Sequence, residues 1–97
     1  MHSLEYSQVT DIEKVRAELL RYDHALAEFS AREKKDGTIE LVIALKSNPH
    51  GMHTYYAPIH PRDISTPQFP WNFQRYLYDC LHDYLVEMFI RTPQSRD

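Results

Sequence analysis

From Ala25 to Leu45 apolar residues fall on every second position, and Lys34-Lys35-Asp36-Gly37 interrupts the run once. Ala27, Phe29 and Ala31 alternate with Glu28, Ser30 and Arg32 before the break; Ile39, Leu41, Ile43 and Leu45 resume the pattern after it. A period of two places alternate side chains on opposite faces of a strand, so a one-residue slip in pairing would turn the whole apolar set outward. A two-residue Asp36-Gly37 loop would set Leu41 beside Arg32 and Ile43 beside Ser30. A three-residue loop, Lys35-Asp36-Gly37 with Gly37 left-handed, pairs Ala31 with Leu41, Phe29 with Ile43 and Ala27 with Leu45. It also sets Arg32 opposite Glu40 on the outer face. The pattern therefore predicts a β-hairpin with the three-residue loop.

The chain has only two glycines, and the second closes Asn48-Pro49-His50-Gly51, a turn sequence with Asn first, Pro second and Gly fourth. A third strand from Met52 to about His60 is expected after it, with His53, Tyr55, Ala57 and Ile59 on the core face. Pro58 cannot donate to a ladder, so this strand belongs at an edge, as the third strand of a meander does.

Helices flank the strands. Thr10-Asp11-Ile12-Glu13 reads as a capping box, and Ile12, Val15, Leu19 and Leu20 follow at helical spacing, predicting a helix over Asp11 to Tyr22. The prolines at 61, 67 and 70 mark residues 61–70 as a crossover loop, ordered because Ile64, Phe69 and Trp71 would be costly to leave in water. A long helix from Pro70 or Trp71 to Arg91 then ends at Thr92-Pro93. Its central stripe is Phe73, Leu77, Cys80, Leu81, Tyr84 and Met88, widened by Tyr78, Leu85 and Phe89. That arc exceeds what one sheet contact needs, so the first helix or a second protomer is expected to cover the remainder.

These elements give an α+β fold, α-β-β-β-α: a three-stranded antiparallel meander in order 1-2-3 with both helices on one face. The 97 residues form one domain, 1–97, with flexible ends at 1–9 and 92–97. Its 42% hydrophobic and 26% charged content is that of an ordinary globular domain. A single cysteine excludes an internal disulfide, and the sequence contains no apolar run of membrane-spanning length. Met1 to Glu5 lack the basic and apolar regions of a signal peptide, so a cytoplasmic location is expected.

The α-β-β-β-α order resembles that of the double-stranded-RNA-binding domain. The resemblance is one of topology. That family places lysines at the start of its last helix, where Pro70-Trp71-Asn72-Phe73-Gln74-Arg75 supplies one cation. The formal charge of -3 also weighs against phosphate binding.

Of the six histidines, His50, His53 and His60 lie closest together, yet 53 and 60 differ by an odd number and point to opposite sheet faces. No metal site and no cofactor is read. Asp79-x-x-His82-Asp83 could orient an imidazole, but it sits on a polar helix face with no nucleophile placed beside it. Cys80 falls inside the apolar stripe. No catalytic residue is assigned.

The outer sheet face carries the leading functional expectation. Leu26, Val42, Ala44, Met52 and Tyr56 gather there among Glu28, Arg32, Glu40 and Lys46, a composition that suits a partner protein or a second copy of the chain. The chain is thus read as a non-enzymatic interaction module, homodimeric, using that face or an edge strand. The alternative is a small-ligand or catalytic pocket between the Pro-rich loop and the last helix, lined by Tyr55, His60, Trp71 and Tyr78.

Overall fold

The computed structural model describes residues 9–48 and 51–91. Helix α1 spans Asp11–Leu19, strands β1, β2 and β3 span Ala27–Glu33, Ile39–Leu45 and Tyr55–Ile59, a one-turn helix α2 spans Pro61–Ile64, and α3 spans Phe69–Arg91. The sheet is antiparallel in order β1-β2-β3. This is the α+β meander read from the sequence. The expected flexible ends, 1–9 and 92–97, lie outside the described residues except for Val9, as do residues 49 and 50 of the second turn.

The hairpin register follows the three-residue loop. Ala27 pairs with Leu45, Phe29 with Ile43, Ala31 with Leu41 and Arg32 with Glu40. Gly37 holds φ +88°, the left-handed region where a Cβ is disfavoured. Its N–H donates to the Lys34 carbonyl at 2.9 Å, and Lys34 N–H donates to Thr38 at 2.8 Å. Asp36 tightens the loop by accepting from the Thr38 N–H at 3.0 Å and hydroxyl at 2.6 Å, bonds that hold its carboxyl below the usual aspartate range. At the second turn the Asn48 side chain brackets Met52, accepting from its N–H at 2.7 Å and donating to its carbonyl at 2.8 Å.

Several boundaries differ from expectation, including the start of α3 at Phe69 rather than Pro70 or Trp71. Helix α1 ends at Leu19 rather than Tyr22, because Arg21 and Tyr22 N–H bond back three residues, to Glu18 and Leu19. That tightened turn swings Tyr22 onto Phe73 and Tyr78. Strand β3 begins at Tyr55, not Met52. The Pro-rich segment contains α2, with Pro61 at its first position and His60 as its cap.

One core lies between the sheet and the helices. Ile12, Val15 and Leu19 of α1 enter it from one side, Leu41, Ile43, Ala57 and Ile59 from the sheet, and Phe73, Leu77, Cys80, Leu81 and Tyr84 from α3. Both arms of the Thr10–Glu13 capping box are formed, at 3.3 and 3.0 Å. Tyr84 is fully buried, and its hydroxyl donates to the His53 carbonyl at 2.7 Å, tying mid-α3 to the entrance of β3.

Trp71 is a correction of consequence. Expected to bury its ring, it is 76% exposed, whereas Phe69 and Phe73 are 7% and 2% exposed. The helix starts at Phe69, so residues 69 and 73 share the inward face. Two steps of about 100° carry residue 71 to the opposite side.

Candidate functional site

Of the interaction residues expected from the sequence, Val42, Ala44 and Tyr56 lie on the outer sheet face, while Leu26 and Met52 lie just before β1 and β3. Val42 sits at the centre of β2 between Ser30 and Tyr56, and Ala44 lies opposite Glu28. Leu26 and Tyr56 are 60% and 48% exposed, while Val42, Ala44 and Met52 are half-buried. The core helices pack on the other face. Strand β2, Ile39-Glu40-Leu41-Val42-Ile43-Ala44-Leu45, is thus apolar on both sides with one charged interruption.

That interruption is neutralised locally. Arg32 Nε donates to Glu40 Oε1 at 2.8 Å, and Lys34 Nζ stands 3.7 Å from Glu40 Oε2. The Arg32 guanidinium also lies 4.3 Å from the Tyr56 ring centroid, a cation–π contact across the sheet. The ends of the face carry both signs of charge, with Glu28 and Lys46 toward one end and the Arg32–Glu40 pair toward the other.

The sheet edges are obstructed in different ways. Lys46 N–H donates to the Leu26 carbonyl and Lys34 N–H to Thr38, so even-numbered residues of β1 face β2 and odd-numbered ones point outward. Of those outward groups, the Ala31 carbonyl accepts from Arg16 Nη2 of α1 at 3.1 Å. On the other edge, the alternation turns Tyr56 and Pro58 outward. Pro58 has no N–H, and its carbonyl accepts from the Tyr76 hydroxyl at 2.5 Å. The proline and its occupied carbonyl discourage a strand added at β3, and at β1 the Arg16 side chain takes one of the outward carbonyls.

A second feature is a cleft of about 640 Å³ between the end of β3, α2 and the first turns of α3. Its floor is apolar, from Ile39, Ile59, Phe69 and Phe73; Thr38, His60, Asp63, Asn72, Arg75 and Asp79 stand around it. The four residues expected to line a pocket do not converge here. Only His60 lines the cleft. Tyr55 lies inside against Tyr84 and beside Cys80, Tyr78 meets the ring of Tyr22 edge-on with centroids 6.0 Å apart, and Trp71 points to solvent.

His60 Nδ1 accepts from the Arg62 N–H at 3.1 Å. In the neutral ring the proton therefore sits on Nε2, which presents a donor rather than a base. His53 has a separate partner, Glu87 Oε1 at 2.8 Å. His82 and Asp83 are both exposed and 4.0 Å apart on the solvent side of α3. Cys80 is walled by Tyr55 and Tyr76. Burial pushes its thiol up, and burial with the thiol nearby pushes both phenols up to about 12. That is a packed interior, not a nucleophile site.

The cleft lies between the Pro-rich segment and α3, where the alternative pocket was expected, but its lining was not legible because it forms where three segments distant in sequence meet. Its one local sign is His60-Pro61, which resets the chain from strand to helix within a residue. No helix among the described residues is long and apolar enough to cross a membrane. No protein-family model, no curated protein and no solved structure matches the chain.

Proposed function

We propose that the chain is a protein-interaction module that self-associates through its outer sheet face. The observation carrying this reading is the two-sided apolar character of β2, whose Val42 and Ala44 look away from the helices toward a face no element covers among the described residues. A central strand apolar on both sides is the pattern of a sheet covered on both sides. Face-to-face sheets pack about 10 Å apart through such residues.

A second copy is the occupant favoured by charge. Asp23, Glu28 and Glu40 balance Arg32, Lys34 and Lys46 around Val42, Ala44 and Tyr56, so two identical faces meet without net repulsion. The same balance offers little to a polyanion such as RNA. The proline at the β3 edge favours the face over a strand added there. The test is solution mass by sedimentation for the wild type and Val42→Glu. A dimer that becomes a folded monomer supports the proposal; a mass unchanged by Val42→Glu, in a protein with wild-type circular dichroism, overturns it.

A further inference from the structure

We propose that the cleft beside α2 binds an organic ammonium carried on an apolar or aromatic body. This site is separate from the outer sheet face and does not depend on self-association. About 640 Å³ is the size of a small-molecule site, and the division between apolar floor and polar rim is the usual one. Phe69 and Phe73, tilted by 40° with centroids 5.3 Å apart, form with Ile39 and Ile59 the buried apolar wall behind the cleft, and the more exposed Pro58, Pro61 and Tyr76 complete its apolar lining.

The rim selects the charge. Asp63 on α2 and Asp79 on α3 both line the cleft, and neither side chain makes an ion pair or hydrogen bond among the described residues. Arg75 is the one lysine or arginine in the lining, and His60 with its Nδ1 engaged adds no charge in the neutral ring. Two carboxylates against one guanidinium leave the rim net negative. An ammonium gains charge-assisted hydrogen bonds from the carboxylates. A carboxylate ligand of the same shape would meet the two acids with only Arg75 to offset them.

The experiment is a ¹H–¹⁵N NMR titration of the labelled full chain with phenethylamine and, separately, with 3-phenylpropionate, a similarly shaped anion. The proposal predicts that phenethylamine moves the amides of Phe69, Asn72, Phe73 and Tyr76 and leaves Val42 and Ala44 in place. The Asp63→Asn/Asp79→Asn variant, its fold checked from the same spectrum, should bind the amine about tenfold or more weakly. Arg75→Gln should bind it at least as tightly as wild type, which keeps the proposal testable if the double variant is poorly folded. Phenylpropionate binding as tightly as the amine, amine binding unaltered in the double variant, or no cleft response to either probe would overturn the proposal.

Discussion

The Tyr76 hydroxyl donates to the carbonyl of Pro58, joining the second turn of α3 to the outer edge of β3. Because Pro58 has no N–H, this bond occupies the remaining ladder group of that residue. Tyr76→Phe should cost about 1 kcal/mol, the net worth of one hydrogen bond. Urea unfolding should show a lower midpoint with an unchanged slope. A wild-type midpoint would remove the bond from the account of how this edge is closed.

Tyr76 and Tyr55 share an environment that keeps their phenols protonated. Both are pushed up to about 12, first by burial and then by the neighbouring Cys80. The unfolded chain ionises its tyrosines near the ordinary value of about 10. The folded state therefore holds these protons longer than the unfolded state, and stability declines as pH rises from about 10 to about 12. Their contribution is constant below that window. Tyr22 and Tyr84 are raised as well, by burial, so circular dichroism melts across alkaline pH, with phenolate absorbance followed in parallel, should show a late-titrating set of tyrosines and a falling midpoint. Titration of every tyrosine near 10 in the folded protein would contradict this packing.

Gly37→Ala isolates the hairpin loop. Beyond the adjacent residues no atom lies within 4 Å of where a Cβ would stand, so the cost is one of backbone conformation. With φ at +88° it should be about 1 kcal/mol. Amide exchange in Ser30 and Val42, a hydrogen-bonded pair across the hairpin, should remain slow, since the register is also held by side-chain alternation.

Trp71→Ala and Phe73→Ala form a contrasting pair two residues apart. Phe73 is 2% exposed and packs on Phe69 and Tyr22, so its truncation should cost about 3–5 kcal/mol. Trp71 is on the solvent side, where a substitution should change stability by less than about 0.5 kcal/mol. A large loss for Trp71→Ala would place that ring in a contact absent from the single chain.

This pair also marks how far the sequence could be read. The Phe29–Ile43 and Ala31–Leu41 pairs were legible because alternation and the Lys35-Asp36-Gly37 loop constrain the same register within a few residues. The stripe from Phe73 to Tyr84 was legible for the same reason at helical period. Trp71 was misread because the cost of exposing its ring overrode its phase: two steps from Phe73 turn it away from the core wherever the helix begins. The pocket quartet failed differently. Tyr55, His60, Trp71 and Tyr78 were grouped by nearness in the topology, but Tyr78 turns toward Tyr22, which reaches α3 only because α1 ends early. Val42 and Tyr56 fell on one face as expected because sheet parity is local; what covers that face is not a property of one strand.

Sedimentation of the wild-type chain beside Val42→Glu, over a range of concentrations, tests the central claim most directly. The account predicts a wild-type dimer and a folded Val42→Glu monomer. A wild type that stays monomeric at every concentration, or a Val42→Glu variant with the same mass as wild type, would contradict it.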